Sequence, residues 1–165
     1  AGSVSFRAGG SVVLDGFFAA ARGSGASVVL NNSAAGSVIG GIRSDSSVTI
    51  GGTGSSILAG DIIGGSAVTV ATAVVVARDL TVAANGGRIE FATAVAARNA
   101  VAGLRLDAGY GGVIALGGNI GSSEVSLGWV ELNGLVSNLS GYGIFYRGGS
   151  FIPPSDWLNN WRAGQ

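Results

Sequence analysis

The chain contains no cysteine, no histidine and no lysine, and all nine of its basic residues are arginine. Without cysteine there is no disulfide framework, no thiol nucleophile and no zinc–thiolate site. Without histidine there is no Ser-His-Asp or Cys-His pair and no imidazole ligand for a metal. Without lysine there is neither Schiff-base chemistry nor a phosphate-loop lysine. This inventory excludes most familiar catalytic mechanisms, so the sequence is read as that of a protein that is not an enzyme and uses no cofactor or metal. Charge is scarce as well. Charged residues make up 11% of the chain, and nine arginines balance nine acids, which leaves no basic field to attract nucleic acid or anionic lipid. No apolar run approaches the roughly 20 residues of a membrane helix. The β-like runs are also shorter than the roughly 9–11 residues of an outer-membrane barrel strand. Proline occurs only twice.

Glycine is abundant instead, at 31 of 165 residues, as suits a chain that turns every few residues. Four short runs recur between the turns: Ser27-Val28-Val29-Leu30, Ser47-Val48-Thr49-Ile50, Ala67-Val68-Thr69-Val70 and Arg88-Ile89-Glu90-Phe91. Their starting positions are separated by 20, 20 and 21 residues. Alternation along a strand sends Val28/Leu30, Val48/Ile50, Val68/Val70 and Ile89/Phe91 to one face and Val29, Thr49, Thr69 and Glu90 to the other. Ile42, Ile62 and Val82 form a second column, and Val38 and Leu58 are read as starting a third. A fixed period near 20 residues built from short β runs is the signature of a solenoid. Twenty residues at about 3.3 Å each give a perimeter of at most ~65 Å, a triangle about 20 Å on a side, and six or seven coils at ~4.8 Å give a rod of about 30 Å.

The chain divides into three parts. Residues 1–26 read as an atypical first coil or N-terminal cap, with Phe17 and Phe18 expected in the core. Residues 27–140 carry the repeats. Residues 141–165 form an aromatic C-terminal cap or docking tail. Within the repeats, Val74-Val75-Val76 favours strand over helix because its residues are β-branched. Residues 92–103 read as an insertion, a short helix or a bulged corner. Arg43, Arg78 and Arg88 are placed on the outer wall or at corners. In the tail, Pro153-Pro154 is expected to stop any strand ladder. Ser155-Asp156 is expected to cap a short helix carrying Trp157, Leu158 and Trp161 on one side. Phe145, Phe151, Trp157, Leu158 and Trp161 are the candidate capping or interaction residues, expected to fold over the last coil or to dock on a neighbouring chain.

Other motifs weigh less. Gly51-Gly52-Thr53-Gly54-Ser55-Ser56-Ile57-Leu58-Ala59 matches part of a calcium-binding nonapeptide, but Ser56 stands where the ligand aspartate belongs, so a plain turn is favoured. Asp61 with Asp79, or Glu124 with Glu131, are the carboxylate pairs that a polysaccharide-cleaving site would need. Thr49 and Thr69 are too few for an ordered threonine face.

Two stretches carry a family resemblance. Leu104-Arg105-Leu106-Asp107-Ala108-Gly109 followed by Gly112-Val113-Ile114-Ala115-Leu116-Gly117-Gly118-Asn119-Ile120 resembles the degenerate repeats of filamentous-haemagglutinin-type bacterial exoproteins. The segment from Asp79 to Phe91 has the same cadence, and the likeness covers roughly residues 27–136. The resemblance implies a right-handed parallel β-helix, secreted by a two-partner route or held on the bacterial cell surface, and used in adhesion or biofilm formation. That family's secretion domain carries Asn-Pro signatures, and this chain has no Asn-Pro pair, so the resemblance points to a repeat segment or a short relative. The expected fold is all-β, a parallel solenoid of about 20-residue coils. The expected partners are other protein chains, including copies of itself or a larger surface assembly, with surface glycans as a further possibility. The alternative function is a carbohydrate-binding or polysaccharide-cleaving β-helix.

Overall fold

The computed structural model describes residues 3–8, 13–138, 141–153 and 157–164. The first coils hold β1 (Ser3–Ala8), β2 (Val13–Ala21), β3 (Ser27–Asn32) and β4 (Ser37–Ser44). The middle coils hold β5 (Ser47–Gly51), β6 (Ser55–Leu58), β7 (Ile62–Gly64), β8 (Ala67–Val70), β9 (Ala73–Val76) and β10 (Leu80–Ala84). Then come β11 (Arg88–Phe91), β12 (Val95–Ala97), β13 (Gly103–Asp107), β14 (Val113–Leu116) and the long β15 (Trp129–Asn138). The chain closes with β16 (Ile144–Tyr146), β17 (Gly149–Phe151) and β18 (Trp157–Ala163), and the described residues contain no helix.

These strands stack in three parallel ladders that wind into a right-handed parallel β-solenoid of about six coils. Face A runs β1-β3-β5-β8-β11-β14 and ends on the second half of β15. Face B runs through Val13-Leu14, the start of β4, β6, β9 and β12, and continues as bridges from Val95 to Ile120 to Ile144. Face C runs through the end of β2, the end of β4, β7, β10, β13 and the first half of β15. β2, β4 and β15 each turn a corner, so they belong to two faces. In β15 the bend falls at Gly134, whose φ of +139° is a conformation that side chains rarely adopt.

The core is a set of continuous columns. Val28, Val48, Val68, Ile89, Ile114 and Val136 are in register on face A, and each is 0% exposed. The parallel column Leu30, Ile50, Val70, Phe91 and Leu116 is also buried. On face C the column Ile42, Ile62, Val82 extends to Leu106 and Leu132. Burying each such side chain contributes about 1.5–3 kcal/mol, and β-branched residues suit the pleated surface. The inward and outward sets read from the sequence are those of the structure: Val29, Thr49, Thr69 and Glu90 are only half-buried.

Several details differ from the sequence reading. Leu58 pairs with Ile39, and Val38 pairs with Ile57, so the third column is displaced by one residue. The cause is the corner that follows. Three steps separate Ile39 from Ile42, but four separate Leu58 from Ile62, and the extra residue is taken up where Gly60 lies against the Gly40–Gly41 backbone. A Cβ on Gly60 would sit 2.6 Å from the Gly41 nitrogen, so only glycine fits there. Residues 92–103 contain strand β12 and a corner rather than a helix. Asn99 Oδ1 accepts from the Val101 and Ala102 N–H groups (3.2 and 3.0 Å), an Asx turn that holds the extra residues at the corner. In the tail, Trp157–Ala163 is a strand, not a helix, and the ladder resumes after the prolines. The Ser155-Asp156 cap lies outside the described residues, as do the side chains of Phe17 and Phe18.

Candidate functional site

Two features of this solenoid carry polar or aromatic chemistry: the corners between faces, and the C-terminal end. At the corners, carboxylates and amides bind backbone N–H groups across coils. Gly23 donates to Asp45 Oδ2 (2.8 Å), Thr81 to Asp61 Oδ1 (2.8 Å), Gly103 to Asp79 Oδ1 (2.7 Å) and Gly143 to Asn119 Oδ1 (2.8 Å). Asn32 is buried and works in both directions: its Oδ1 accepts from Ala34, while its Nδ2 donates to the Ser55 carbonyl (2.9 Å each). A backbone N–H that turns out of a ladder at a corner needs a partner, and these side chains supply it. The sequence reading missed this role, although Asp61 and Asp79 each stand directly before the first residue of a face C strand.

This placement bears on the carboxylate pairs. Asp61 and Asp79 are committed to different backbone groups, and the structure gives them no shared partner among the described residues. Glu131 lies between Arg105 (3.1 Å) and Arg162 (3.5 Å), whereas Glu124 sits in the exposed turn before Leu127. Arg105 also donates to Asp107 (2.7 Å). That hydrogen bond raises the guanidinium above its ordinary pKa against partial desolvation, and the charges of Glu131 and Asp107 add to it. Ser56, in the calcium-like stretch, points inward and shares a hydrogen bond with Thr72 (3.0 Å).

The aromatic residues gather at the C-terminal end. β18 runs antiparallel along the outer edge of β15, from Val130 opposite Ala163 to Val136 opposite Trp157. β17 folds back on β16 as a short hairpin over the end of face B. Trp161 stacks on Phe151 (centroids 5.1 Å, 25°) and meets Tyr146 edge-on (5.4 Å, 72°), and all three pack against the end of the core. Arg162 lies 5.5 Å over the Trp129 ring. Of the candidate tail residues, the structure brings Phe151 and Trp161 together. Phe145 is half-buried with its ring beside Gly143. The side chains of Trp157 and Leu158 lie outside the described residues, although their backbones pair with Val136 and Leu135. Tyr146 and Trp129 belong to this cluster and were not among the candidates. The alternation around buried Ile144 carried no signal strong enough to choose Tyr146 over Phe145.

A shallow groove of about 510 Å³ runs along one corner of face C, lined by Arg43, Asp45, Asn85 and Asp107 with a floor of glycines. Tyr110, in the adjacent turn, is fully exposed. Among the described residues no group of acids could hold a metal ion, and no helix is long and apolar enough to cross a membrane. The geometry defines the class of the protein as a three-faced parallel β-solenoid. No family model matches the chain, and no curated protein or solved structure matches it significantly.

Proposed function

We propose that the chain is a structural or adhesive solenoid rather than an enzyme, a segment of a surface adhesin or a filament subunit of filamentous-haemagglutinin type. In this reading it is secreted or displayed on the bacterial cell surface. It acts through contacts of its outer faces with other protein chains, including its own copies, and with cell surfaces. The observation that carries the reading is the outer lattice. Val29, Thr49 and Thr69 stand in register on face A, and Val38, Ile57 and Val75 do so on face B. Over these coils the rows are uncharged, with Glu90 next in register after Thr69, and they repeat at the ~4.8 Å strand spacing. Of the acids that would serve catalysis, Asp61 and Asp79 are engaged with backbone and Glu131 with arginine. Such a face offers area and repetition, which suit adhesion and packing more than turnover. Beads coated with the chain test this. They should adhere to each other or to bacterial and host-cell surfaces well above uncoated beads, and Thr49→Arg/Thr69→Arg should reduce the adhesion. Coated beads that adhere no better than bare ones would end the reading.

The groove favours a second reading, a glycan-binding solenoid. Arg43 and Asn85 offer both donors and an acceptor beside the lining glycines, an arrangement that accepts sugar hydroxyls. Titration of the labelled chain with cellotetraose and chitotetraose should shift the Asn85 and Gly109 amide resonances. Unshifted resonances at millimolar sugar would remove this reading.

A further inference from the structure

We propose that β17 and β18 together act as a detachable strap. It occupies the place where β15 of a second copy binds, and its release turns single rods into end-to-end pairs. The proposal deepens the structural reading above and rests on it.

β15 is the last parallel strand on two faces. One edge pairs with β13 and β14, and the other pairs with β18 in antiparallel sense across Val130–Val136. That outer edge therefore accepts an antiparallel strand. An edge of this kind is self-complementary, because a copy related by a two-fold axis presents the same edge in the opposite direction. The bend of β15 places the axis. Its two arms lie on faces C and A on either side of Gly134, so an axis through that corner exchanges them. Leu132 then meets Val136 of the second copy, and Gly134 meets Gly134. The same axis crosses the middle of face B, where the β16 strands of the two copies face each other once β17 has left.

The chemistry of the exposed end agrees. Leu132, Val136 and Ile144 are fully buried in the intact chain, with Trp161, Phe151 and Tyr146 packed on the end of the core. Removing the strap opens that core end to water, and the matching end of a second copy covers it again. Glu131, the only charge on β15, falls opposite Ser137 of the second copy, so no like charges meet. The strap's own ionic anchor joins a half-exposed Arg162 to Glu131 at 3.5 Å, and Glu131 keeps a second, shorter partner in Arg105 (3.1 Å) when the strap leaves. Unpaired strand edges template association unless they are covered, and here β17 and β18 do the covering.

Sedimentation tests the proposal. The full chain should run at the mass of one chain, and a chain ended after Arg147 should run at the mass of two with its β-sheet circular dichroism retained. A second measurement covers a truncated chain that does not fold. Trp161→Ala in the full chain should loosen the strap and give a mixture of one- and two-chain species. Adding Glu131→Cys and Arg162→Cys to that variant installs a lock in a chain that has no other cysteine. These two positions are direct cross-strand partners, and the roughly 4.5–5.5 Å between such Cα atoms lies within disulfide reach. Oxidation should return the mixture to single chains, and reduction should restore the pairs. The proposal is overturned by a folded truncated chain that stays single at every concentration, by a Trp161→Ala chain that stays single, or by pairs that persist with the strap locked. None of these outcomes depends on whether the outer faces adhere to anything, so adhesion can fail separately.

Discussion

Exchanging one residue for aspartate at two neighbouring positions puts the register of the solenoid to a sharp test. Ile50 is 0% exposed and stacks between Leu30 and Val70 in the core column. Ile50→Asp forfeits the burial of the isoleucine side chain, about 1.5–3 kcal/mol. It also places a carboxyl group among aliphatic neighbours. Protonated, the group lacks a hydrogen-bond partner at a cost of about 1–3 kcal/mol, and ionised it costs more. The sum is about 3–6 kcal/mol, a large part of the roughly 5–15 kcal/mol that holds a domain folded. Thr49 is half-buried on the outside between Val29 and Thr69, where aspartate stays hydrated and costs about 1 kcal/mol or less. At about 2–4 °C per kcal/mol for a chain of this size, Ile50→Asp should lower the melting temperature by roughly 6–24 °C and Thr49→Asp by no more than about 4 °C. Thermal melts followed by circular dichroism, with urea midpoints in parallel, measure both. Equal losses would mean that these two side chains do not point to opposite sides of the wall, and the register argument would fall with them.

Three further outcomes are expected. Gly134→Ala places a side chain in the positive-φ corner of β15, 3.0 Å from the Ala108 Cβ, and should cost about 1–3 kcal/mol in a urea melt; an unchanged midpoint would contradict the bend. Asp61→Ala removes the acceptor for the Thr81 N–H and should cost about 1 kcal/mol, with faster hydrogen exchange at Thr81 as the local readout; unaltered exchange there would count against the corner role. A chelator should leave the melting temperature unchanged, since the stability rests on packing and backbone pairing, and a drop of many degrees would return attention to Gly51–Ala59 as a metal site.

The parts of the fold that were legible in the sequence are those in which one residue meets its equivalent one coil away. Val28, Val48, Val68 and Ile89 announce the coil because each occupies the same place in the same column, so a local alternation and a long-range period coincide. Where a corner takes up slack, the period stops being informative. Gly60 absorbs one residue and displaces the Val38–Leu58 match, and Asn99 folds a longer corner that an alanine-rich composition made resemble a helix. The corner carboxylates were hidden for a different reason. Asp61 and Asp79 look like free acids in a sequence because their partners, Thr81 and Gly103, are backbone groups one coil away.

The tail shows the limit most clearly. Trp157 and Trp161 are four residues apart, a spacing that puts them on one side of a helix and equally on one side of a strand, since four is close to one helical turn and an even number of strand steps. Periodicity therefore could not choose between the two. Local propensity leaned only weakly, because Asn159 and Asn160 are poor residues for a helix interior. The choice was made by something the tail does not contain, the outer edge of β15. An isolated helix of seven residues is marginal in water and would leave that edge with unpaired N–H and C=O groups beside an open core. The same seven residues laid antiparallel on β15 satisfy the edge and set Trp161 opposite Leu132, over the end of the core. A segment whose conformation is decided by the edge it covers is one that a competing strand can displace, and that is the physical ground of the proposed strap.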